Sequence, residues 1–145
     1  MEQLIHLLAY HDFANLKYLE VLQVNEVHKT KYLMSHLINA HTIWNNRILN
    51  KDVIIGTFDE HSVDELINRH QINMEHTSEL VNKKSLNELI TYRNLSGLVF
   101  TNSVYDIIYH IINHATYHRA QVAQLWSSNQ IKVPSTDYIA FRRTL

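Results

Sequence analysis

The chain has 145 residues, a net charge of -1 and a pI near 6.8, which suits one domain and gives no basic surface for neutralising nucleic-acid phosphates. It has no cysteine, which excludes a disulfide framework, a thiolate metal site and a cysteine nucleophile. Apolar residues make up 46% of the chain, with only two Gly and one Pro, so long helices on a single core are favoured over a turn-rich β fold.

The first predicted helix covers residues 2–24, with Leu4, Leu7, Leu8, His11, Ala14 or Asn15, Tyr18, Leu19 and Leu22 on one stripe. Its opening, MEQLIHLLAYHDF, lacks the basic n-region of a signal peptide. No apolar run approaches the ~20 residues of a membrane helix, and the chain reads as soluble and cytoplasmic. The second helix covers 29–49, with Leu33, Leu37, Ala40, Trp44 and Ile48 as its core face. KDVIIGTFDEH then turns the chain at Gly56, with a polar start at Asp59. A third helix spans 62–83, opened by a capping box from Ser62 to Glu65. Its apolar stripe is thin (Val63, Leu66, Ile67, Met74, Leu80, Val81), which predicts the least buried of the helices.

Residues 86–100 change character, and a β-hairpin or extended excursion is expected, with Gly97 at positive φ. The fourth long helix covers 102–128. After Pro134, Ser135-Thr136-Asp137 caps a short helix from Tyr138 to Arg143. Four long antiparallel helices with a short tail define an all-α four-helix bundle, one domain over 1–145, of the kind that houses metal sites between facing helices.

The chain carries 11 histidines, and the informative ones lie in HIINHATYHRAQ, from His110 to Gln121. Residues four apart on a helix share a face, so His114 and His118 point the same way, as in half of a zinc-type site. The second helix offers His36 and His41, about 140° apart at ~100° per residue, so only one of them easily faces the fourth helix. His36 with His114 and His118 gives three neutral nitrogens and leaves an open position, as catalytic sites do. Zinc and nickel both accept imidazole.

His110, one turn before His114 and displaced by about 40°, is expected to line the pocket and to hydrogen-bond a carboxylate or backbone carbonyl. His6, His11, His28, His61, His70 and His76 read as solvated or partly buried. The aromatics Tyr10, Phe13, Tyr18, Trp44, Tyr117 and Trp126 read as core and rim packing. Arg119 reads as a surface or salt-bridge residue, with a substrate-anion role as the alternative. A di-iron site needs a carboxylate three residues before a histidine on two helices, and none is spaced that way.

Together these segments resemble the DinB/YfiT-like family of small bacterial metalloenzymes over nearly the whole length. The resemblance rests on LLAYHDFANLKYLE with its Ala14-Asn15 pair, and on SHLINAHTIWNNRIL with His36, Trp44 and Arg47. It continues through YRNLSG, HIINHATYHRAQV and PSTDYIAFRR. Ala120 stands where the family usually has glycine, which narrows the space beside the helix.

The resemblance implies a bundle of up-down-down-up order and a divalent metal, zinc or nickel, on His36, His114 and His118. His110, Arg119, Gln121 and Trp44 are the expected supporting or pocket residues, and no catalytic residue is assigned. It implies a transferase in which the metal activates a low-molecular-weight thiol toward an electrophile, in detoxification or stress. The alternative is a stress-response protein that holds a metal or ligand without turnover. Monomer and homodimer both stay open.

Overall fold

The computed structural model describes residues 2–94 and 96–143. They form five helices and one two-stranded antiparallel sheet: α1 (Glu2–Val24), α2 (His28–Ile48), α3 (Val63–Lys83), β1 (Leu89–Arg93), β2 (Val99–Ser103), α4 (Val104–Ser128) and α5 (Tyr138–Arg143). The fold is thus mostly helical, and the sheet is an addition to the all-helical class. None of the helices is long and apolar enough to cross a membrane among the described residues.

Sequence sets the helix ends. The Ser62–Glu65 capping box forms at α3, and a second one, Ser103 with Asp106, opens α4; each ties two otherwise unpaired amides. The excursion is a hairpin in which Leu89 faces Ser103 and Arg93 faces Val99. Gly97 takes φ 80° in its loop, where a side chain would be strained. The short α5 docks on α1: Tyr10 donates its hydroxyl to the Thr136 carbonyl at 2.8 Å, and Phe141 packs on Tyr10 and Phe13.

α2 is the central helix, buried without interruption from Met34 to His41. It packs on α3 and α4, as does α1. Contacts between α2 and α3 step along both helices in the same direction: Asn73 Nδ2 donates to the Ile38 carbonyl, and Thr77 Oγ1 to Asn45 Oδ1. α1 and α4 are also parallel, since Arg119 reaches Asn15 and Trp126 stacks on Tyr18. Residues 49–62 therefore do not form the simple turn expected there. They cross back over the length of α2 as a strap, held by Asn39 Nδ2 on the Asp59 carbonyl (2.7 Å) and by His61 on Asn39 Oδ1 (2.9 Å).

The core has three levels. One apolar cluster joins Leu4, Leu8, Ile48, Leu80 and Ile108; another joins Leu19, Leu22, Met34, Leu66 and Trp126. Between them lies a polar level. Arg119 Nη1 donates to Asn15 Oδ1 (2.7 Å), and Asn15 Nδ2 reaches His11 Nε2 (3.1 Å) and His70 Nδ1 (3.5 Å). His70 Nε2 donates to the Asp12 carboxylate (2.8 Å), and His41 Nε2 to Thr77 Oγ1 (2.7 Å).

This level corrects two expectations. His11 (0% exposed) and His70 (1%) are fully buried, not solvated or partly buried. Arg119 (3%) is interior and pairs with an amide, not a carboxylate. α3 is the least buried of the four long helices, as its thin apolar stripe predicts, but His70, Asn73 and Thr77 occupy inward positions between Leu66 and Leu80.

The buried imidazoles make stability depend on pH. Burial takes the His11 pKa well below its usual range, with His41, Arg119 and His70 adding to the effect. Burial takes His41 down to about 3, with His70 and His76 adding. Unfolded, both titrate near ~6.5, so the unfolded state binds more protons as pH falls below that value. Stability should be full above pH ~6.5 and decline from there toward the folded values. Two such groups give a slope of about 2.7 kcal/mol per pH unit. Urea titrations between pH 7 and 5 measure this, and a flat profile would contradict neutral burial of the pair.

Candidate metal centre

α2 and α4 pack side by side, and this contact brings the three expected histidines together. The ligand atoms of His36, His114 and His118 lie within 4.8 Å of one another. Their ring centroids are 4.4–5.1 Å apart. His118 Nε2 and His114 Nε2 stand 3.1 Å apart, close to the ~3.3 Å edge of a tetrahedron of nitrogens at ~2.05 Å from zinc. His36 is buried and the other two are half-buried.

Two of the rings are pinned in the form that a ligand needs. The Thr57 carbonyl accepts from His36 Nδ1 (3.2 Å), and Gln121 Oε1 accepts from His118 Nδ1 (2.7 Å). With the proton fixed on Nδ1, the Nε2 lone pair faces the cluster. Phe58 of the strap stacks on His36 at 4.7 Å and on Tyr32 at 5.8 Å, so the strap clamps the His36 ring from outside.

Protonation of His114 and His36 is disfavoured. Burial, followed by His118, His36 and His110, pushes His114 down to about 4. Burial also lowers His36, against the Thr57 carbonyl, with His118 adding a smaller decrease. Three converging imidazoles, two of them with fixed tautomers, fit a divalent ion of borderline softness.

A cavity of about 640 Å³ opens beside the cluster. His36, Ala40, Ile43, Trp44 and Arg47 of α2 form one wall, the strap at Val53–Thr57 another, and β1 with Tyr92 and Arg93 the far end. His114 sits at its head. The cavity is thus about the size of a small-molecule site.

The other expected residues divide. Gln121 supports the cluster and Trp44 lines the cavity. His110 packs edge-on against Trp44 (5.2 Å) and beside His114 (5.4 Å), outside the cluster. It makes ring contacts, not the expected hydrogen bond to a carboxylate or carbonyl. Its pKa falls through burial and then through Arg47. Arg119 does not line the cavity; its guanidinium belongs to the polar level of the core. His41 points to Thr77 and the interior, so His36 is the histidine of α2 that faces α4. Ala120 is exposed on α4.

Sequence reasoning missed the residues that hold the site in place. Thr57 and Phe58 lie in a segment read as a plain turn, and nothing in their spacing marks a partner on α2. Models of known protein families give no match to this sequence, and neither do curated proteins.

Proposed function

We propose that the chain is a metal-dependent enzyme of the DinB/YfiT-like kind, cytoplasmic, that transfers a low-molecular-weight thiol to an electrophile. A zinc or nickel ion is held by His36, His114 and His118. The observation that carries this reading is that three imidazoles converge at the head of an open cavity. Structural zinc sites close with a fourth protein ligand, whereas three ligands beside open space suit chemistry. The parallel pairing of α1 with α4 and of α2 with α3 supports reading the four long helices as a bundle of up-down-down-up order.

When bound, the ion supplies a Lewis acid that lowers the pKa of a thiol, as it does for water. The chain's own residues set the stage. Thr57 and Gln121 hold the imidazoles in the ligating tautomer, and Phe58 keeps His36 from turning. Ala40, Ile43, Val53 and Ile55 line the space where a thiol and an electrophile meet. No Asp or Glu lines the cavity among the described residues, so the thiol proton passes to solvent, not to a side-chain base. The sulfur then attacks the electrophilic carbon, forming a carbon–sulfur bond as the leaving group departs.

Zinc and nickel titrations of untagged protein, followed by assays of glutathione, cysteine and coenzyme A against a fluorogenic alkyl halide, test this. One equivalent of metal and conjugation only in the loaded protein are expected. Tight metal binding with no turnover across the panel would favour the non-catalytic alternative.

A further inference from the structure

We infer that the cavity takes an elongated ligand ending in a carboxylate, and that Arg47 is the group that binds this end. The inference builds on the reading of the histidine end as the reacting end, but the Arg47 end can be tested without metal.

His36 and Arg47 lie on one face of α2. They are eleven positions apart, which is ~16 Å along the axis and within ~20° around it. Both line the same cavity. Between them that wall is Ala40 and Ile43, faced by Val53 and Ile55 of the strap. The cavity therefore has a nitrogen-rich head, an apolar middle and a cationic tail.

Arg47 is prepared for an acceptor. Its guanidinium carbon sits 4.3 Å over the Trp44 ring and 4.9 Å over Tyr92. The two rings stand at 84° to one another, so they hold the guanidinium from two sides by cation–π contact without using its N–H donors. Among the described residues its one acceptor is the Arg93 carbonyl at 3.3 Å. None of the ion pairs there involves Arg47. A second cation, Arg93, lines the same end, and no carboxylate lines the cavity. A half-buried guanidinium fork without an anion matches a carboxylate, which accepts two parallel hydrogen bonds from it. The apolar middle matches a hydrocarbon spacer.

Octanoate and 1-octanol are the probes, titrated calorimetrically into the full chain, both chelator-treated and zinc-loaded. Octanoate should bind the metal-free protein about tenfold or more tighter than octanol, the worth of a charge-assisted pair. Arg47→Met should abolish that preference while leaving octanol binding unchanged, with circular dichroism confirming the fold. The comparison of the two probes on wild-type protein needs no variant. Equal affinities, no binding of octanoate, or a preference that survives Arg47→Met would overturn the inference. Octanoate binding only to zinc-loaded protein would put the carboxylate on the ion; that would also overturn it while leaving the metal reading intact. Failure of zinc to bind, with the octanoate preference kept, would remove the metal reading alone.

Discussion

His118→Ala is expected to lose its metal and its thiol transfer together while keeping a helical circular-dichroism spectrum. His118 belongs to neither apolar cluster, so the core does not need its ring. Unlike a zinc finger, the chain has a hydrophobic core to fold on without metal. Removing one of three ligands leaves His36 and His114, too few to hold an ion against water. A free thiol of pKa ~8.5 is only a few per cent thiolate at neutral pH, so transfer should fall to the uncatalysed rate. His110→Ala is the control: its ring stands outside the cluster, and metal content should stay at the wild-type level. Metal analysis of the purified variants and the conjugation assay decide the matter. Full transfer by metal-free His118→Ala would eliminate the mechanism.

Asn15→Leu should cost about 3 kcal/mol, the upper range for a buried hydrogen bond to a charged group. The Asn15 amide accepts from Arg119 and donates toward His11 and His70. Leucine fits the space but leaves the guanidinium with neutral hydroxyl partners, Thr116 Oγ1 at 2.9 Å and Tyr10, and with Tyr18 nearby. The fall in Tm should be about 10 °C for a chain of this size. Asn15→Leu combined with Arg119→Met should recover much of the loss, because removing a whole buried polar group costs less than orphaning half of it. Thermal and urea unfolding of the single and double variants read both numbers. A single variant within 1 kcal/mol of wild type would show that Arg119 has support other than Asn15.

The helices were legible because their punctuation is local. Capping residues such as Ser62 and Glu65 act within one turn, and the shortage of Gly and Pro leaves few other places to stop. The His114–His118 pair was legible for the same reason, since four-residue spacing fixes a shared face. The polar interior was legible only in part. Periodicity put His11, and Ala14 or Asn15, on the stripe of α1, but it left out His70, Asn73 and Thr77, which also lie inside. A signal did exist: Leu66, His70, Asn73, Thr77 and Leu80 keep the three-and-four spacing of a core stripe. Polar residues held in phase with apolar ones mark a buried network, not a surface. The strap was illegible because Thr57 and Phe58 contact His36 from 21 and 22 positions away, and no local rule carries that distance.

The parallel pairing of α1 with α4 also sets an order in time. Asn15 and Arg119 are 104 positions apart, so the central bond joins nearly opposite ends of the chain. At ribosomal rates of ~5–20 residues per second, Arg119 is made roughly 5–20 s after Asn15. During that interval the nascent α1 has no α4 to cover it, and His36 has no His114 or His118 to meet. α2 and α3, made next to one another, can pair first. Closing a loop this long carries an entropic cost that consecutive antiparallel helices avoid. The polar level and the histidine cluster therefore share one event: both are completed only when the last long helix arrives.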